Sequence, residues 1–272
     1  MTTHDRAFFT ADGDVLVPNP IARGPWGSTI SGTYVGGLLG RSVELDAGDP
    51  DLQPARLTVD LLRPAALAEP VRVDTTVERQ GRRLRLVDAV MTQAGTVVAR
   101  ASALFLRRAE QPADPVWTSP IDMPPPPTAP ADLSGDVTME VWAYGKNSVA
   151  TGPSMDLTEW QHAGPKYAWV RDVIPLVDGE PITPFTRAAM AGDVTSSLTH
   201  FGATGLNFIN ADYTLTLSRL PDGEYIGLAS LTHYSHAGVA TGVAAIFDRL
   251  GPIGSGVATG LANPGFRPPK RG

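Results

Sequence analysis

The chain has 272 residues, 42% of them hydrophobic and 18% charged, with 22 Lys and Arg against 28 Asp and Glu for a formal charge of −6 and no cysteine. That length fits one large domain or two of about 130 residues, each able to bury a core. The composition excludes a disulfide framework, a thiolate metal site and a cysteine nucleophile, and it argues against bulk nucleic-acid binding. No apolar run reaches the roughly 18 residues of a membrane span. The first residues, MTTHDRAFFTADGDV, have neither the basic start nor the apolar block of a secretory signal, so the expected compartment is the cytoplasm.

Residues 7–25 read as an extended segment ending in turn signals at Pro18, Pro20, Gly24 and Pro25. Residues 26–46, WGSTISGTYVGGLLGRSVELD, read as a helix with apolar spacing at Tyr34, Val35, Leu38, Leu39 and Val43. Its five glycines each lower helix stability by roughly 1 kcal/mol relative to Ala. Such a helix needs tertiary burial, and a sheet wrapped around it supplies that. Four strand-like runs follow: 57–64, 71–79, 82–93 and 96–108. Gln80-Gly81 and Ala94-Gly95 mark tight turns, which makes the last three an antiparallel meander. Arg79, Arg82, Arg83 and Arg85 crowd one hairpin, and Arg107 and Arg108 end the next strand. They read either as solvated arginines or as contacts for a small anion.

Residues 110–135 carry the tetraproline Pro124–Pro127 and no apolar period, so they read as a stiff interdomain spacer. Beyond it the pattern restarts. Residues 137–144 and 166–174 are strand-like, 181–200 form a helix opening after prolines, and strands follow at 208–219, 224–234, 239–249 and 253–261. Arg63 and Arg219, Gly95 and Gly251, and Gly36 and Gly192 are each 156 residues apart, while Pro64/Pro221 and Gly81/Gly238 need one residue of slippage. The ordered series is a repeat of architecture more than of sequence. It divides the chain into 1–110, a linker 111–135, and 136–272.

The second helix holds one carboxylate, Asp193, on an otherwise apolar, small-residue surface. A carboxylate against a packed surface is costly unless hydrogen-bonded or working. Asp193 therefore reads as facing a ligand cleft, with a solvated helix Asp as the alternative.

The stretches RGPWGSTISGTYVGGLL, ARLTVDLLRPAALAEPVRVDTTVERQGRRLRLVDAVMTQAGTVVARASALFLRR and AWVRDVIPLVDGEPITPFTRAAMAGD resemble acyl-CoA thioesterases of the thioesterase II (TesB-like) family over nearly the whole chain. The resemblance implies an α+β tandem (double) hotdog: two antiparallel sheets, each wrapped around a central helix, with an acyl chain lying between the halves. One continuous sheet, or Asp193 far out in solvent, would contradict that picture. The resemblance also implies an Asp, a Thr and a Gln that bind the attacking water. Asp193 matches the aspartate. Asn210 stands in the Thr position, and Thr259 in the Gln position once the preceding glycine turn is aligned. Each alone could be an ordinary strand residue.

In the first half Trp26-Gly27-Ser28 lie at the start of the helix and Ser31-Gly32-Thr33 stand where many relatives carry His-Gly-Gly. The absent His makes this half a partner lining the pocket. Trp26, Gly27 and Ser28, with Arg79, Arg82 and Arg83, are the candidate substrate contacts.

There is no G-x-S-x-G elbow, P-loop or dinucleotide fingerprint. His233-x-x-His236 flanks a turn without clustered carboxylates, and His162 and His200 stand alone, so neither a metal nor a cofactor is expected. The leading reading is an acyl-CoA thioesterase whose partner is an acyl-CoA and which self-associates through exposed sheet edges. The alternatives are a non-catalytic acyl-CoA or lipid binder, and a hotdog enzyme recruited to dehydration or cyclisation in secondary metabolism.

Overall fold

The computed structural model describes residues 6–128, 137–145 and 152–266. A short hairpin, β1 (Phe9–Asp12) and β2 (Val15–Pro18), precedes helix α1 (Gly32–Ala47) and strands β3 (Leu52–Leu61), β4 (Arg72–Gln80), β5 (Leu84–Gln93) and β6 (Thr96–Arg107). Then come β7 (Met139–Tyr144), β8 (Tyr167–Asp172) and helix α2 (Pro184–His200). A two-residue pair, β9 (Phe201–Gly202) and β10 (Gly205–Leu206), leads to β11 (Phe208–Leu217), β12 (Ile226–His236), β13 (Val239–Asp248) and β14 (Gly251–Ala262).

Helix α2 starts as its residues dictate. Thr183 caps it by accepting the Thr186 N–H at 3.0 Å, and Pro184 occupies the first turn. Helix α1 starts later than expected, at Gly32, because residues 24–31 form a loop in which Gly27 adopts a positive φ of 104° and the Ile30 N–H bonds the Ala65 carbonyl.

The expectation of two separate sheets is overturned. β3 to β8 and β11 to β14 form one ten-stranded antiparallel sheet in the order β4-β5-β6-β3-β11-β14-β13-β12-β8-β7. The halves join where β3 pairs with β11, in the register Thr58↔Thr214 and Leu57↔Leu215, and the two threonine hydroxyls share a 3.0 Å hydrogen bond. The physical reason is the cost of an edge: left apart, each half would present an unpaired strand there, and pairing removes both. Thr58 and Thr214 are 156 residues apart, so the offset read from the sequence is realised as an approximate two-fold relation through this pair. Bulges obey the same offset, at Pro54/Arg56 in β3 and Asn210/Asp212 in β11.

Each half keeps its own helix. α1 packs on β3 to β6, and α2 on β8 and β11 to β14. The helices also run antiparallel against each other, with Gly37 against Met190, Gly40 against Ala189 and Glu44 accepting from the Thr183 hydroxyl at 2.5 Å. α2 is therefore covered by both a helix and a sheet, which explains burial around most of its circumference. No helix among the described residues is long and apolar enough to cross a membrane.

The described part of the proline-rich segment is extended but not free. Ile121 and Met123 pack against Tyr144, Trp169, Ala229, Ala245 and Phe247 on the sheet face opposite α2. Trp169 Nε1 donates to the Pro124 carbonyl at 2.8 Å and the Tyr144 hydroxyl to the Pro125 carbonyl at 2.9 Å. Residues 129–135 of the expected spacer lie outside the described residues.

Candidate active site

Asp193 sits where the two halves meet. Its Oδ2 accepts from the Thr33 hydroxyl at 2.9 Å and its Oδ1 from the Asn210 side-chain amide at 2.8 Å. The Thr33 backbone N–H also bonds this carboxylate. Ser31, at the cap position of α1, makes no side-chain cap bond, so a carboxylate from the other half takes that task. It also lies at the positive end of the α1 dipole. The approach is close enough to require glycine at position 32, since a Cβ there would lie 2.7 Å from Asp193 Oδ1. Burial raises the Asp193 pKa above the ordinary carboxylate value, outweighing the hydrogen bonds from Asn210 and Thr33 that lower it.

Asn210 reaches Asp193 because of the β11 bulge. The extra residue lets both Asn210 and Tyr213 turn toward the helices, and the Tyr213 hydroxyl donates to the Ala189 carbonyl at 2.7 Å. The break is filled from the other side: Asp212 Oδ1 accepts from the Thr259 backbone N–H at 2.8 Å and the Thr259 hydroxyl at 2.6 Å. Thr259 thus belongs to the opposite face of the sheet. Its neighbour Ala258 is fully buried on the helix side, and a Cβ at Gly260 would touch the His200 ring. The structure brings Asp193 and Asn210 together and sets Thr259 behind them, holding the bulge. A glycine-turn alignment is blind to a bulge, and so to which face Thr259 takes.

The other sequence candidates divide. Trp26 packs edge-on against Phe266 at 5.5 Å, Phe266 contacts Phe201 at 6.0 Å, and Phe201 contacts Trp160 at 5.7 Å. The Trp26-Gly27-Ser28 loop therefore rests near the C-terminal end of α2, with the Ser28 carbonyl accepting from the Leu67 N–H. Arg79, Arg82 and Arg83 are exposed. Arg82 and Arg83, with Arg107 and Arg108, line a surface hollow of about 410 Å³. Arg107 pairs with Leu52 at one end of β3, and Asp212 pairs with Asp60 near the other. Eight residues of strand put the hollow roughly 26 Å from the Asp212 level. These arginines are not brought to Asp193.

Two features went unread in the sequence. Thr33 stands in the sequence only as part of its glycine stretch, and no local signal marks it, because Ser31 is itself a favoured cap residue. His200 stands alone among the histidines, yet Ser196 lies four residues before it on the same helix, and its Oγ is 3.2 Å from His200 Nδ1. Among the described residues no group of three His, Asp or Glu could hold a metal ion.

A model of the acyl-CoA thioesterase N-terminal domain matches residues 22–106, and one of the acyl-CoA thioesterase C-terminal domain matches residues 104–262. No curated protein matches by sequence. Among solved structures, the tesB protein of Mycobacterium avium subs paratuberculosis is similar with a TM-score of 0.66 at 14% identity, over 94% of this chain and 96% of that one. The acyl-CoA thioesterase II TesB2 of Mycobacterium marinum gives 0.60 at 21% identity, over 85% and 90%. A conserved hot dog fold protein of Alicyclobacillus acidocaldarius gives 0.67 at 19%, over 97% and 98%. At these identities the likeness is one of fold, while the two domain matches run consecutively through both helices and across the join of the sheet. The chain belongs to the acyl-CoA thioesterase family.

Proposed function

We propose that this chain is a hotdog-fold hydrolase, its two halves fused through one sheet, that cleaves an acyl-CoA thioester to the free acid and coenzyme A, using a water oriented by Asp193. The observation that carries the reading is the Asp193 carboxylate, shared between Thr33 at the start of α1 and Asn210 on β11. Asp193 takes a proton from water as its oxygen adds to the thioester carbonyl carbon. Of the first-turn N–H groups of α1, Thr33 bonds Asp193 while Tyr34 and Val35 bond the Ser31 carbonyl, so the Gly32 N–H is the donor for the developing oxyanion. Collapse of the tetrahedral intermediate breaks the C–S bond, and the thiolate leaves and is protonated. Asn210 keeps a second N–H and a carbonyl with which to hold the water while still donating to Asp193. Thr259 enters as a positioning residue through Asp212. The units are 1–110 and 136–272, joined by the linker 111–135.

Thiol release measured over a series of acyl-CoA chain lengths tests this. Folded protein that turns over no ester would sink it, and an Asp193→Asn variant with full activity would remove Asp193 from the chemistry.

A second reading is favoured by one observation: both Asp193 oxygens are already occupied by protein donors, as a purely structural cap would be. The chain would then bind acyl-CoA without cleaving it. Calorimetry showing saturable binding, beside a silent thiol assay, identifies that case.

A further inference from the structure

His200 is a buried imidazole that the hydrolytic scheme does not use. Its side chain is 3% exposed, its Nδ1 is engaged by the Ser196 hydroxyl, and its Nε2 has no hydrogen-bond partner among the described residues. The ring is held between Phe208 at 5.7 Å, His233 edge-on at 5.2 Å, and Gly260, where a Cβ would come within 3.3 Å of Cε1. His233 does not satisfy it, because the His233 ring bonds the Thr199 carbonyl at the end of α2. Buried polar atoms are nearly always paired, and an apolar side chain would fill this place without the penalty of an unpaired one. Whichever tautomer Ser196 selects, Nε2 is left as one free donor or acceptor.

Its position relates it to the catalytic carboxylate. Asp193, Ser196 and His200 follow one another at i, i+3 and i+7 along one stripe of α2. The facing strand runs in step: Asn210 meets Asp193, and Phe208, two residues earlier on the same face, meets His200. Seven residues of helix separate the two side chains by about 10 Å.

We propose that His200 is a specificity residue whose Nε2 hydrogen-bonds a polar group of the substrate about 10 Å from the thioester carbon. This rests on Asp193 marking the reacting end. Two parts of an acyl-CoA offer that chemistry: a hydroxyl or keto substituent on the acyl chain, or an amide of the pantetheine arm.

The test compares the wild-type protein, His200→Leu and His200→Gln on pairs of equal-length acyl-CoA esters, one plain and one bearing a hydroxyl at successive positions. If the acyl chain carries the group, one hydroxylated ester has a kcat/KM at least tenfold above its plain partner. His200→Leu abolishes that ratio without slowing the plain ester, and His200→Gln partly restores it. If the pantetheine carries it, His200→Leu raises KM for every ester by a common factor. The wild type then discriminates against acyl-N-acetylcysteamine thioesters, which lack the outer amide. This second arm needs no variant and survives a misfolded His200→Leu. Equal kinetics of wild type and folded His200→Leu on all esters would overturn the proposal. Calorimetry with non-hydrolysable thioether analogues of the same pairs separates the two hypotheses. A His200-dependent preference in binding without turnover keeps this inference and discards hydrolysis.

Discussion

The two halves share a backbone plan and differ in chemistry at corresponding positions. At the offset of 156 residues, Asp193 corresponds to Gly37, Asn210 to Pro54, and Thr33 to Ala189. The bulge of β11 recurs in β3, yet the carboxylate of Asp212 that fills the first is replaced by Arg56 in the second. The space that a side chain at position 37 would take is occupied by Met190 and Leu176. The fold thus offers two equivalent places, and only the second holds a hydrogen-bonded carboxylate. The first half contributes the start of its helix to the other half's carboxylate, and its own corresponding place is packed shut. Backbone irregularity, here the bulge, persists without the polar groups that give it a use.

The largest expected effect separates the two places directly. Asp193→Asn keeps the shape and removes the proposed base, and should lower kcat by about 10² to 10⁴-fold in the thiol assay. The reciprocal change, Gly37→Asp, should give no second site. It places a carboxylate among Met190 and Leu176 with no partner, and denaturant melts should show a loss of several kcal/mol. Activity gained from Gly37→Asp would mean that the first cleft is open, and the comparison would fail.

Next in size is the contact that brings the helices and β11 together. A Cβ at Gly36 would collide with the Tyr213 hydroxyl, which is itself bonded to the Ala189 carbonyl. Gly36→Ala should cost about 1–3 kcal/mol, measured by the urea midpoint. Tyr213→Phe in the same background should recover part of it by removing the colliding oxygen.

Much of this was legible from residues alone. The opening of a helix after prolines and the glycine turns rest on local chemistry, and the 156-residue offset, a pattern of the whole chain, reappears as the Thr58–Thr214 pair. The continuous sheet was not legible, because β3 and β11 alternate in the same way whether their outer edges face water or each other. The partner of a strand is a long-range fact that periodicity does not encode. The same limit explains Thr259: one extra residue at the bulge changes which face a side chain takes. Asp193 could be singled out as an unusual carboxylate, but its bond to Thr33, 160 residues away, comes only from the crossing of the helices.

The pH dependence should differ between the carboxylate proposed as base and a structural one. Asp193 must be ionised to accept a proton, and its pKa is raised by burial. The rate should therefore fall as pH drops, on an acid limb lying above the ordinary Asp value of about 3.9. Asp172, at the end of β8, is pushed up to about 7 by burial, with the Arg187 guanidinium pulling the other way. The folded state holds the Asp172 proton more tightly than the unfolded chain does. Its contribution is fully present below about pH 4 and is lost as pH climbs through about 7. Asp172→Asn should flatten that decline in thermal melts while leaving the acid limb of the rate in place. A limb that moves with Asp172→Asn would couple the two groups.

The smallest effect belongs to two turns, one in each half. Ala94 has φ of 45° before Gly95 at 76°, and Ala237 has φ of 49° before Gly238 at 80°. Both hairpins thus use two consecutive left-handed residues, the type I′ pattern that favours Asn-Gly. Alanine is strained there by its Cβ, whereas Asn tolerates the conformation. Ala94→Asn and Ala237→Asn should each raise stability by up to about 1 kcal/mol and leave thiol release unchanged. The two gains should add, because the turns lie in different halves and share no partner. A shortfall in the sum beyond about 0.5 kcal/mol would mean that the shared sheet transmits strain from one half to the other. The halves would then be one elastic unit despite their separate helices.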